Sequence, residues 1–241
     1  METIKTAPNE LTINTRLLSL MKTYPEEDCG EAISRQLTIF IEDMGFNNWI
    51  VAPASDYIRG LHDSRFDGFL IRQPILEAIL YPTKQNSLAL AHIAGEVKAT
   101  SHIPAGGISQ CAYYGTALVY ARNQALSYLG RSDPINQTSA ITFFTNGERL
   151  HIYAHYVTKS RRGTTQHIQH QLASIYMLHS HQEFILGYLA LRNAQDYVKE
   201  RAIEPKEEPI QHWIKELGVE PPIVSDAESS QGKGQEEPEC I

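Results

Sequence analysis

The sequence predicts an α/β fold: a mixed central sheet flanked by helices, with additional helices toward the C-terminus. Three observations carry this. The run "LALAHIAGEVKA", residues 88–99, is apolar on both faces until Glu96, as a strand covered on both sides must be. A stretch of helical periodicity follows, from about residue 109 to 129, with Gly130 as its stop. Then "AITFFTNGERLHIYAHYV", residues 140–157, reads as a hairpin about the Asn146-Gly147 turn. The order helix, strand, strand, long helix, hairpin, helix fits a sheet layered between helices.

The remaining elements follow in chain order. Leu11, Ile13, Leu17, Leu18 and Met21 have helical spacing over residues 8–24. Ile33, Leu37, Ile39, Phe40, Ile41 and Met44 suggest a second helix, stopped by Gly45. "NNWIVAPAS" is a short strand or an extended segment. "FDGFLIRQ", residues 66–73, reads as a strand, and "ILEAILYP", residues 75–82, as strand or short helix. "SHIPAGG", residues 101–107, is a loop ahead of the long helix. Residues 166–201 look helical with Gly187 inside, "EPKEEP" breaks the pattern, and "IQHWIKELG" is a last short helix. Residues 1–203 are expected to form one domain and 204–241 an acidic tail, disordered from about Pro221.

Charge divides the chain at the same place. Residues 1–203 carry 18 Lys+Arg and 18 Asp+Glu, whereas residues 204–241 carry 3 and 10, so the whole net charge of −7 lies in the tail. A neutral body with one small basic cluster, Lys159, Arg161 and Arg162, offers little general attraction to nucleic acid but leaves room for binding in a narrow groove. No apolar stretch approaches the roughly 20 residues that cross a bilayer, and the first residues lack the apolar region of a signal peptide. Cys29, Cys111 and Cys240 form no CxxC pair, which argues against a disulfide framework or a thiolate zinc site. An intracellular protein of cytoplasm or nucleus is expected.

The feature that points to chemistry is Glu96-Val97-Lys98. Side chains two apart on a strand share a face, so the acid and the base meet at the strand end. A carboxylate there suits Mg²⁺ or Mn²⁺, and an ammonium can orient a water or offset charge developing on a phosphate. One carboxylate holds a metal poorly, so a second acid must converge; Asp67 in "RFDGFLI" is the candidate, with Glu77 as the alternative if "ILEAILYP" is the paired strand. Gln110 and Tyr114, four apart on the following helix, share a face that can return to the strand end.

The ordered set Asp67, Glu96-Val97-Lys98, Gln110-x-x-x-Tyr114 resembles the PD-(D/E)XK nuclease superfamily, especially its RecB-like branch. It is also similar to the nuclease-like region beside fungal-type protein kinase domains, over roughly residues 30–157. The resemblance implies a restriction-endonuclease-like core and hydrolysis of phosphodiester bonds in nucleic acid. It implies that Asp67 and Glu96 bind Mg²⁺ or Mn²⁺ with help from the Val97 carbonyl, and that Lys98 acts on the water. Gln110 and Tyr114 would support Lys98 or the substrate. Glu31 or Glu42 would fill the place of a first-helix acid. The alternative is a catalytically inactive member of the same fold, an interaction or regulatory module with a protein partner or a second copy of itself, in which Glu96 and Lys98 form a buried ion pair.

Other candidates have plainer readings. His151 and His155 sit about 13 Å apart along one strand, too far for one metal. His167 and His170, with His179 and His181 beyond, lack an accompanying acid, and polar surface histidines are the default. "PAGG", residues 104–107, lacks the rest of a phosphate-binding loop and is read as a flexible border of the site. Cys111 reads as a small buried residue.

Overall fold

The computed structural model describes residues 21–25, 29–37, 54–62, 79–80, 88–99, 104–128 and 131–217. Its elements are β1 (Cys29–Ala32), β2 (Arg35–Gln36), β3 (Ala54–Ser55), β4 (Tyr57–His62), β5 (Ile79–Leu80), β6 (Leu88–Val97), α1 (Pro104–Tyr128), β7 (Ala140–Thr145), β8 (Arg149–Lys159), β9 (Thr165–Tyr176) and α2 (His181–Leu217). One mixed sheet runs in the order β1-β4-β6-β7-β8-β9, with the short β5 also on β6; β2 and β3 form a separate ribbon.

The central strand is β6, and all ten of its residues are buried. It is antiparallel to β4 and parallel to β7, and the parallel step requires the crossover that α1 provides. Helix α1 covers one face of the sheet, packing Tyr113, Tyr114, Ala117, Leu118 and Ala121 with Ile58 and Ala94. Helix α2 covers the other, packing Leu191 and Val198 with Tyr57, Ile93, Phe143 and Ile152. Burial on both faces is why β6 reads as continuously apolar rather than alternating.

Two glycines bring α1 down onto the sheet. A Cβ on Gly107 would lie 2.3 Å from the Phe144 ring, and one on Gly115 would lie 2.0 Å from the His155 ring. The helix begins at Pro104, earlier than its apolar period announces, because proline suits a first helical turn whose N–H has no partner. The predicted hairpin is present: β7 and β8 pair antiparallel, and Gly147 adopts the left-handed conformation (φ 83°) of the turn.

Three predicted helices differ from the structure. Residues 29–32, expected near the start of the second helix, form β1 on β4, and Ser34 takes a positive φ (50°) that ends any regular run. Residues 165–176 form β9, not the start of the last helix. A bulge opposite Ile152 and Tyr153 inserts Leu172 into β9, so Ile168, Leu172 and Ile175 fall four and three residues apart. That spacing imitates a helix. The last helix then starts at His181 and continues to Leu217 through "EPKEEP". Residues 21–24, expected as the end of the first helix, are not helical; the rest of that expectation, residues 8–20, and those for "FDGFLIRQ" and the segment from Pro221 lie outside the described residues. Among the described residues no helix is long and apolar enough to cross a membrane.

Candidate functional site

At the C-terminal end of β6 the chain turns from apolar to charged on the face that α1 covers. Glu96 is 1% exposed and Lys98 23%, and the two form an ion pair through Lys98 Nζ and Glu96 Oε1. Lys98 N donates to the Thr145 carbonyl (2.9 Å), which extends the β6–β7 ladder one residue and fixes where the lysine leaves the sheet. Tyr114 is fully buried, and its Oη lies 2.8 Å from Glu96 Oε2 and 2.8 Å from the Ala54 carbonyl oxygen. The predicted meeting of Glu96, Lys98 and the Tyr114 helix face is therefore present. Gln110, half-buried, lies one turn earlier on that face.

Asp67 and Glu77 lie outside the described residues, as does Glu42. Another acid stands beside Glu96. The β4–β6 ladder ends with Tyr57 opposite Gly95, and Asp56, one residue earlier, lies near enough to Glu96 for its charge to act on that carboxyl. Asp56 Oδ2 accepts a hydrogen bond from Val97 N (2.8 Å), fixing it to the strand that carries Glu96. Ser55 Oγ, 3.0 Å from the Gly95 carbonyl, ties down the residue before it. Glu31 is elsewhere: it pairs with Arg59 and accepts from Tyr57 Oη (3.3 Å), and Tyr57 belongs to the α2 face.

The electrostatics follow from burial. Desolvation raises the Glu96 pKa above the ordinary carboxylate range, and the nearby Asp56 charge raises it further; hydrogen bonds from Lys98 and Tyr114 oppose this without reversing it. The Tyr114 phenol has one proton and two acceptors. With Glu96 ionised the proton lies toward Oε2; with Glu96 protonated the carboxyl can donate to Tyr114 Oη and the phenol to Ala54. Burial and the Glu96 carboxylate drive the Tyr114 pKa far upward, so it acts as a donor and not as a phenolate.

Two carboxylates and the Val97 carbonyl are hard oxygen donors of the kind that Mg²⁺ and Mn²⁺ take. Among the described residues no three His, Cys, Asp or Glu side chains converge as a metal-binding group, so a cation here would complete its shell with water or phosphate oxygens. Mg²⁺ is ordinarily held this way, by one or two carboxylates with water and substrate.

Among the described residues the histidines form no metal centre. His155 is buried under α1 with Nε2 2.7 Å from Thr142 Oγ1, and desolvation, reinforced by His167, lowers its pKa to about 3. His151 stacks on Tyr153, centroids 6.3 Å apart. His167 and His170 lie on β9 rather than on a helix. Cys111 is fully buried, its thiol donates to the Phe143 carbonyl (3.3 Å), and desolvation raises its pKa.

No protein-family model, curated protein or solved structure matches the chain. The functional reading rests on the site itself.

Proposed function

We propose that the chain is a metal-dependent nuclease-like protein of the restriction-endonuclease-like fold, hydrolysing phosphodiester bonds in nucleic acid, with Asp56 as the second acid of the site. The observation that carries this is Asp56 held on Val97 N beside Glu96, with Lys98 ion-paired to Glu96. The parallel β6–α1–β7 unit supports it, because α1 returns Tyr114 to the acid.

In this reading Asp56, Glu96 and the Val97 carbonyl hold Mg²⁺ or Mn²⁺. Bound there, the ion supplies an acidified water and polarises the phosphate. The protein's own groups do the rest. Val97 N–H keeps Asp56 in place. Tyr114 donates to Glu96 and favours its ionised, ligating form. Lys98 sets positive charge where an attacking water oxygen meets the phosphorus and where charge grows on the non-bridging oxygens. As the new P–O bond forms, the attacking water gives up a proton to solvent, the opposite P–O bond breaks and the departing alkoxide takes a proton from solvent. Gln110 lies on the same helix face for contact with the substrate or Lys98.

One observation favours the inactive module. Both Glu96 oxygens already have partners in Lys98 and Tyr114, and the carboxylate is almost wholly out of water. The two readings separate in one experiment. Purified protein is incubated with labelled single- and double-stranded DNA and RNA in Mg²⁺ or Mn²⁺, beside Asp56→Ala, Glu96→Ala and Lys98→Ala. Cleavage by wild type that EDTA and each substitution abolish supports the nuclease. Well-folded wild type that cleaves none of the substrates sinks it in favour of the module.

A further inference from the structure

Strand β9 is the outermost strand at one side of the sheet, and β8 is its only partner among the described residues. It is twelve residues long and contains no Asp, Glu, Lys, Arg or Pro. Proteins ordinarily guard such an edge with charge, proline, brevity or a bulge, because its outer N–H and C=O groups are a template for another strand. Here the bulge at Leu172 is the only such device, and it leaves residues 165–171 as an uninterrupted template.

The border of this edge is apolar. Seven large hydrophobic residues are exposed among the described residues, and four of them, Leu172, Ile185, Leu186 and Leu189, lie on β9 or the first turns of α2. Those turns pack over β9: a Cβ on Gly187 would lie 3.5 Å from Ile175, and Phe184, Ala173 and Ile175 pack against one apolar cluster.

We propose that this edge is a homodimer interface in which β9 pairs antiparallel with β9 of a second copy, about a two-fold axis at Ile168. An axis perpendicular to the sheet keeps like faces together, so only residues on the same face meet across it. Centred on Ile168, that residue meets its own equivalent. Gln166 meets His170, His167 meets Gln169, and Thr165 meets Gln171, each pair occurring twice. Every polar side chain faces a polar one, and the apolar side chain faces an apolar one. Centring the axis on Gln169 instead would set Ile168 against His170. The self-matching register selects a second copy over an unrelated strand, and the bulge ends the paired segment at Leu172.

The test uses the full chain in sedimentation equilibrium at micromolar concentrations. Wild type is expected to be a dimer. The double variant Gln166→Lys/His170→Lys sets like charges opposite one another in both symmetric pairs and is expected to weaken the dimer at least about tenfold. The double variant Gln166→Lys/His170→Glu sets opposite charges there and is expected to stay within a few-fold of wild type. Both alter the same two exposed positions, so a general loss of fold would affect them alike. A monomeric wild type, or equal dissociation of both variants, overturns the proposal. Neither outcome depends on whether the β6 site cleaves nucleic acid.

Discussion

Tyr114→Phe is the most informative single change at the β6 site, because it removes one oxygen from a fully buried position and leaves the ring in place. The ring keeps its edge contact with Tyr113 (centroids 6.5 Å) and its place in the α1 core. What is lost is the donor 2.8 Å from Glu96 Oε2 and from the Ala54 carbonyl. A buried hydrogen bond to a charged group contributes about 1.5–3 kcal/mol, and one between neutral groups about 1 kcal/mol. The Tyr114 bond lowers the Glu96 pKa, so its removal raises that pKa further. A carboxyl whose folded pKa lies above its unfolded value makes the fold less stable as pH rises through that interval. The loss on substitution should therefore be about 2 kcal/mol at pH 8 and should shrink to about 1 kcal/mol once acid protonates Glu96 in both proteins. Urea unfolding of wild type and variant at several pH values between 5 and 8 measures it. A loss independent of pH, or one below about 0.5 kcal/mol throughout, would refute the coupling of Tyr114 to Glu96.

Three further outcomes follow from the packing. Asp133 accepts from Arg122 Nε (2.6 Å), Arg201 Nη2 (2.9 Å) and Ser139 Oγ (2.7 Å), tying α1 to α2; Asp133→Ala removes the acceptor that these three groups share and should cost about 3–5 kcal/mol in urea unfolding. Gly115→Ala should lower stability by about 1–3 kcal/mol, read as a lower Tm, because the Cβ would lie 2.0 Å from the His155 ring, whereas the same change in an exposed helix is stabilising. Desolvation lowers the pKa of His92 to about 4 and that of His155 to about 3, so both stay neutral in the fold while the unfolded chain protonates below about 6.5. Each should then remove up to about 1.4 kcal/mol for every pH unit between 6 and 4, and His155→Gln should lessen that slope; an unchanged slope would count against a buried neutral imidazole.

The parts of the fold that were legible in the sequence are those where local pattern and tertiary environment agree. β6 is buried on both faces and reads as a continuous apolar run; the β7–β8 hairpin has alternation and an Asn-Gly turn; α1 is long enough for its period to show. β9 was misleading because one bulge residue converts a strand's alternation into helix-like spacing. β4 was hidden for a different reason. "YIRGLH" has an arginine at its centre, and Arg59 is 2% exposed in the structure. Its guanidinium is held by Glu31 and by the Lys22 carbonyl (2.6 Å), partners that only the folded chain brings together. With β4 unrecognised, nothing singles out Asp56, the acid before it; Asp67 lies outside the described residues.

Stability alone does not account for what ends β6. Glu96 is desolvated, and its raised pKa means that the surroundings disfavour its charge even with Lys98 and Tyr114 as partners. Replacing buried ion pairs by apolar residues of similar volume is often neutral or stabilising. Yet this position combines a buried carboxylate, a lysine two residues on, an aspartate beside it and a phenol returned by α1. The four come from β6, the residue after it, the residue before β4 and helix α1, and they meet at the end of β6. A carboxylate kept at a cost and surrounded by a base, an acid and a proton donor supports the proposed metal and phosphate chemistry over a packing role alone.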